Sequence, residues 1–162
     1  MKRKTLPFVV ALVTAGAPAF AAKSKEAQGP QIEKVRTTAY TYGVAENGAH
    51  PASNAIGKPL KAGKVRSAAA DWSRWPLGTR FRVVQTGQEF IVDDIGSAMV
   101  GTSTIDLFKP SAREMNRWGV RHVTIEILEW GSPDKSLQIL RERRKYRHVR
   151  EMVEDLLKQK AA

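Results

Sequence analysis

Only six acidic residues lie between Lys34 and Arg113: Glu46, Asp71, Glu89, Asp93, Asp94 and Asp106. In a chain of net charge +11, carboxylates this sparse are the first groups to examine for chemistry. Asp106 sits in an apolar run, between Ile105 and Leu107-Phe108. A charged residue there is either on the outward face of a strand or a carboxyl group in a hydrophobic cleft. The second setting raises a carboxyl pKa and suits a general acid. Asp94 opens the segment DIGSAMVG, where a carboxylate serves either backbone N–H groups of a glycine-bearing turn or a reaction. Periodicity alone decides neither case.

Other chemistries are excluded or weak. There is no cysteine, so thiolate nucleophiles, disulfides, cysteine zinc sites and iron–sulfur clusters are ruled out. The histidines His50, His122 and His148 are far apart and form no metal-binding spacing, so no metal and no cofactor is expected. The Asp-Ile-Gly at Asp94 is a faint echo of an aspartic-protease loop, without the second copy that chemistry needs.

The elements that must position these acids read as follows. Residues 1–21 have a secretory signal pattern: Lys2, Arg3 and Lys4, then an apolar stretch, then Ala19-Phe20-Ala21. A membrane anchor is the competing reading of that stretch, which is marginal in length and holds two prolines. No later segment reaches spanning length. Residues 22–33 are polar and read as a linker. Val35 to Tyr42 reads as a strand, Ala45 to Lys64 as a long loop, Ser67 to Ala70 as a short strand and Trp75 to Gly78 as a turn. Phe81–Val84 and Glu89–Val92 read as a hairpin around Thr86-Gly87. His122 to Leu128 alternates, with Val123, Ile125 and Ile127 on one face. A short helix follows Ser111, with Glu114 completing a capping box and Gly119 ending it. The pattern predicts a mainly β domain over 34–130, a closed or nearly closed barrel with a short helix.

Residues 131–162 read as a basic carboxy-terminal helix opened by Ser132-Pro133, with no glycine or further proline up to Lys158. Tyr146, Val149, Val153 and Leu156 form an apolar stripe. The stripe packs on the barrel or on a partner helix, or the basic face binds anionic envelope polymers or lipid headgroups.

Four separated segments resemble one family. DDIGSAMVGTSTIDLF, followed by PSAREMNRWGVRHVTIEIL, with the upstream SAAADWSRWPLGTRFRV and the opening TTAYT, are similar, as separated pieces in the right order, to the 3D domain, named for its three aspartates. The likeness runs from about Val35 to Leu128. It implies a double-psi β-barrel, shared with membrane-bound lytic transglycosylase A and small secreted 3D-domain proteins. It implies cleavage of peptidoglycan between N-acetylmuramic acid and N-acetylglucosamine with a 1,6-anhydro product. The family's aspartates fall on Asp71, Asp94 and Asp106, with Asp106 as the acid. Tyr40, Trp72 and Trp75 are then candidates to stack on sugars, with core or rim packing as the alternative for each. Gly96 and Ser97 fall on the substrate-facing turn. The chain departs from the pattern at Ser97 for a glycine, Val100 for a lysine and Trp72 for a proline. In larger members a second domain completes the groove; here the carboxy-terminal helix is the available wall. The expected partner is peptidoglycan, in a bacterial periplasm, outer envelope or secreted setting. A non-catalytic peptidoglycan-binding barrel is the alternative. A nucleic-acid partner fits the charge but neither the signal nor the acidic cluster.

Overall fold

The computed structural model describes residues 31–42 and 53–162. The signal segment, most of the linker, Glu46 and the first part of the long loop lie outside the described residues. Six strands close into a barrel: β1 (Gln31–Tyr40), β2 (Val65–Ala69), β3 (Arg80–Val83), β4 (Glu89–Asp94), β5 (Thr104–Phe108) and β6 (Arg121–Glu129). Their order around the barrel is β1-β5-β2-β4-β3-β6. β1 runs parallel to β5 and β2 parallel to β4, while the remaining neighbours are antiparallel. The first strand begins at Gln31, inside the segment read as linker, because Gln31, Ile32 and Glu33 continue the ladder opposite Ile127, Glu126 and Ile125.

Alternation decides what fills the barrel. Val35, Phe81, Val83, Ile105, Leu107, Val123 and Ile125 are buried and share one core. The hairpin forms as expected, with Phe81 opposite Phe90 and their rings stacked. Outward-facing Arg82 on β3 bridges Glu89 on β4 and Glu126 on β6, at 3.2 and 3.1 Å. Helix α1 (Ala112–Trp118) carries half of the expected capping box. Ser111 accepts from the Glu114 N–H at 3.2 Å, but the Glu114 carboxylate turns to Arg66 at 2.8 Å.

The tail is two helices, α2 (Pro133–Arg141) and α3 (Arg147–Ala161), rather than one. Leu140 and Val149 both reach the core, yet nine residues at 3.6 per turn leave them half a turn out of phase. A straight helix would hold only one of them inward, and the break at 142–146 brings both in. Leu137, Leu140, Val149, Met152, Val153 and Leu156 join the same core as the barrel strands. Tyr146, read as part of the stripe, stands at the start of α3 and is 49% exposed. The junction is a backbone contact. A Cβ at Gly131 would lie 2.3 Å from the Pro76 carbonyl oxygen and 2.4 Å from that of Leu77, so only glycine fits there.

One core-edge cation is costly. Lys109, 6% exposed, places its amine 4.1 Å from the Trp118 ring centroid and 5.2 Å from that of Phe90. Burial, with Arg66 nearby, pushes its pKa down to about 8. The unfolded chain therefore holds a proton that the folded chain releases above about pH 8, and Lys109 makes stability climb from there toward the ordinary lysine pKa of about 10.4. Lys109→Met is expected to gain about 1 kcal/mol at pH 7, the desolvation relief exceeding the lost cation–π contact, and to flatten that rise. Urea unfolding at pH 7 and pH 10, beside wild type, reads both effects.

Candidate functional site

Register builds the site. Thr38 on β1 lies opposite Asp106 on β5, Asp106 opposite Ala69 on β2, and Ala69 opposite Asp94 on β4. The four residues form one row across four adjacent strands. Ala68 and Ala70 belong to the barrel core, so alternation turns Ala69 and its row to the outside. With strands about 4.8 Å apart, the Asp94 and Asp106 backbones are about 10 Å apart, with only an alanine methyl between them. β4 spends an extra residue here: Ala68 pairs with Val92 and Ala69 with Asp94, leaving Asp93 as a bulge.

The Asp106 carboxyl accepts from Thr38 Oγ1 at 2.6 Å. Burial raises its pKa, the Thr38 hydrogen bond opposes this, and the charge of Asp94 raises it further. Asp94 accepts from the Ile95 N–H at 2.9 Å and from the Tyr40 hydroxyl at 3.1 Å. It thus serves its turn and also lines a cavity. Burial dominates and raises its pKa, against those hydrogen bonds. Tyr40 is raised far above the usual phenol value, by burial first and by Asp94 second, so it remains a donor. Asp106, Asp94 and Tyr40 therefore form one half-buried group.

The other acids are committed elsewhere. Asp71 is buried, and its carboxylate accepts from the Ser73 N–H at 2.9 Å, the Ser73 hydroxyl at 2.6 Å and the Gly101 N–H at 2.8 Å. It straps the turn after β2 to the Gly101 loop. Asp93 pairs with Lys61 at 3.1 Å and Ser67 at 3.0 Å, beside a separate cavity that includes Lys58 and Trp130. Glu89 is held by Arg80 and Arg82.

The two tryptophans are corrected. Trp72 and Trp75 are both 0% exposed and offer no face to a sugar. Trp72 packs beneath α3, its backbone N–H meeting Met152 Sδ at 3.4 Å, and its indole N–H donates to the Asp94 carbonyl at 2.9 Å. Trp75 donates to Glu33 at 3.3 Å. Both support the site from within. Tyr40 is tied to Asp94 and stands edge-on to Phe108 rather than presenting an open ring. Tyr42, next but one in the chain, is exposed and stands edge-on to Phe108 at 4.8 Å. Gly96 precedes a short 3-10 turn, Ser97–Met99, with Ser97 exposed. Among the described residues, no non-glycine residue has positive φ, so Ser97 costs this turn no backbone strain. Val100 packs against the core where the family pattern has a lysine.

Sequence reasoning missed Thr38, Ala69 and Asn54. Thr38 shares strand parity with Tyr40, a signal that becomes useful only once the register against β5 is known. The cavity beside Asp94, about 280 Å³, is also lined by Ser53, Asn54 and Ala55 and by Arg143, Tyr146 and His148 of the tail. Thr38→Val removes a hydrogen bond that favours the charged form of Asp106. Its carboxyl is expected to titrate higher than in wild type by carbon-13 NMR; an unchanged or lower value would remove Thr38 from this role.

Residues 66–129 match the sequence profile of the 3D domain. That stretch of the chain resembles a 3D domain. Among solved structures it is similar to MltA from Escherichia coli, at 21% identity and a TM-score of 0.39 over 51% of this chain and 29% of that one. It is also similar to the lytic transglycosylase LtgG of Burkholderia pseudomallei, at 24% identity and a TM-score of 0.33 over 51% and 28%. The chain thus spans less than a third of the length of these proteins. No curated protein matches it.

Proposed function

We propose that this chain is an exported lytic transglycosylase of bacterial peptidoglycan, acting in the periplasm or outer envelope on the N-acetylmuramic acid–N-acetylglucosamine bond. The carrying observation is the half-buried Asp106, its pKa raised, set on the outer barrel face two strands from Asp94 in a 3D domain. Asp106 donates its proton to the glycosidic oxygen as the C1–O bond breaks. The sugar becomes oxocarbenium-like. Its own C6 hydroxyl closes on C1 and returns a proton to the Asp106 carboxylate, so no water is consumed and the acid is reset. In its ionised form Asp94 stabilises the developing positive charge, and Tyr40 holds Asp94. Asp71 acts at a distance, by fixing the Gly101 loop. The two parallel strand pairs within a six-stranded closed barrel support a double-psi topology. No described helix is long and apolar enough to cross a membrane.

A non-catalytic glycan-binding barrel is favoured by one observation, the buried-side packing of Val100, which leaves that position no cation for substrate. Digestion of purified sacculi with product analysis by mass spectrometry separates the readings. Anhydromuropeptides establish the transglycosylase; reducing-end products or none, from folded protein across pH 4–7, overturn it.

A further inference from the structure

A small cavity opens at the foot of α1, between the β3–β4 hairpin turn and the start of β6. Its walls are Thr86, Lys109, Glu114, Arg117, Trp118 and Arg121, and it shares none of them with the acids of the candidate site. Lys109, 6% exposed, follows β5 and lays its amine on the Trp118 and Phe90 rings. That amine has no ion-pair or hydrogen-bond partner among the described residues. The side-chain atoms there that are both unpartnered and closed to solvent are Asn54 Nδ2, Arg66 Nε and Asp93 Oδ1. The Lys109 amine is not one of them, so it opens on the cavity. Arg121 is preset. Its Nε and Nη2 donate to the Trp118 and Arg117 carbonyls, and its guanidinium lies 4.6 Å from the Trp118 ring centroid, so Nη1 is left over. Arg117 is exposed, and its guanidinium has no partner among the described residues. Thr86 Oγ1 accepts from the Gln88 N–H at 3.3 Å and keeps its own hydrogen to give. Glu114 is the one acid in the wall, and Arg66 holds it at 2.8 Å.

The cavity therefore offers donors from the hairpin turn, the end of β5, α1 and β6, while its single carboxylate is spent. A planar carboxylate takes one fork from one direction. A tetrahedral oxyanion accepts from several, and a dianion answers more than one cation. We infer that this cavity binds the terminal phosphate of a phosphate monoester, its oxygens paired by the Lys109 amine, Arg117 and Arg121. Its volume, about 250 Å³, is below that of most small-molecule sites, so it takes the phosphate and leaves the esterified group outside. The site stands apart from the peptidoglycan chemistry proposed for Asp106 and needs none of it. It also predicts a proton count. Burial first, then Arg66, holds the Lys109 pKa down at about 8, with Arg121 adding to this and Glu114 opposing it. Arg117 is the other charge in the wall. The free amine is thus about half charged at pH 8, and a bound dianion draws a proton onto it, up to about half a proton per site.

The test titrates the full chain by calorimetry, at constant ionic strength, with inorganic phosphate, sulfate and acetate. Phosphate and sulfate are expected to bind at least about tenfold tighter than acetate. Sulfate neither gains nor loses a proton near pH 8. Proton uptake on binding it, read from the dependence of the heat on the buffer's own heat of ionisation, therefore belongs to the protein. Lys109→Met is expected to weaken phosphate binding at least about tenfold and to erase the uptake. Arg117→Gln, a change on an exposed side chain, is expected to weaken binding about fivefold and to keep the uptake. Melting curves show that each variant is folded; if Lys109→Met is not, Arg117→Gln and the wild-type uptake carry the test. Glucose 1-phosphate, and phosphatidic acid in phosphatidylcholine vesicles beside phosphatidylcholine alone, then separate the sources. Arg117-dependent binding of the sugar ester marks a soluble ligand and of the vesicles a lipid headgroup, and either upholds the site. Equal binding of acetate, no uptake by the wild type, or unchanged phosphate affinity in a folded Lys109→Met or Arg117→Gln overturns it. Affinity for the free ions with none for either ester overturns it too.

Discussion

Replacing Asp106 by asparagine is expected to lower anhydromuropeptide release by at least about 10²–10⁴-fold, to below detection on sacculi, while folding and glycan binding persist. Asparagine keeps the shape and still accepts from Thr38 Oγ1 through its amide oxygen, so the row across the sheet stays intact. What it lacks is a transferable proton. The pH dependence has a definite sign. Asp106 has a folded pKa above its unfolded value, so the folded state holds the extra proton, and stability is lost as pH rises from the unfolded pKa through the folded one. Above its folded pKa the wild-type protein carries this penalty in full, and Asp106→Asn, relieved of it, is expected to melt higher there. The same raised pKa makes wild-type activity fall as pH climbs through it, since only the protonated acid works. Asp94→Asn is expected to cost less, because its charge assists rather than transfers. Mass spectrometry of digests from the three proteins, with melting curves at pH 4 and pH 7, decides. Full activity in Asp106→Asn would remove it as the acid.

Truncation after Trp130 is expected to abolish cooperative unfolding rather than leave a weakened barrel. The tail places Leu137, Leu140, Val149, Met152, Val153 and Leu156 in the barrel's own core. It also closes over the residues around Trp72 through Met152 and Gln159, whose side-chain amide donates to the Ser73 carbonyl at 3.0 Å. Ser136 Oγ accepts from the Leu77 N–H at 2.8 Å, tying α2 to the turn that carries Trp75. Removal strips the Met152 contact from Trp72, a fully buried indole. A graded version is Leu140→Ala, fully buried, expected to cost about 2–5 kcal/mol in denaturant unfolding. A truncated protein that melts cooperatively near the wild-type temperature would show the tail to be an appendage.

These two cases show what could be read from residues alone. The β3–β4 hairpin, the alternating face of β6 and the capped α1 were legible because their signals are local: period-two burial, a Thr-Gly turn, Ser111 ahead of a helix. The family likeness drew attention to Asp94 and Asp106. Their place in one row depends on β2 lying between β4 and β5, a non-local pairing that no spacing encodes. Trp72 and Trp75 read as sugar platforms or as packing, because an aromatic beside an acidic motif has no periodicity to declare its face; their complete burial decides for the core. Asp71 looked like its two companions until Ser73 and Gly101 took up its oxygens. The helix break was latent in the half-turn phase difference between Leu140 and Val149, and also in the like charges that a continuous helix would set at i,i+4 (Arg143, Arg147) and i,i+3 (Arg144, Arg147).

The strand order also constrains how the chain acquires its structure. β1 comes first in sequence, yet its partners are β5 and β6, and Thr38 and Asp106 are 68 residues apart. A chain delivered amino end first presents β1 long before anything exists for it to pair with. Closure waits for the last strand, and the Thr38–Asp106 contact cannot form before β5 is made. Topologies of this non-local kind fold in milliseconds to seconds rather than microseconds. During that interval β1 is an unpaired edge with alternating apolar residues, the form of surface that recruits another strand. The acid therefore acquires its raised pKa as one of the final events of folding, and a half-made chain carries an ordinary aspartate in its place.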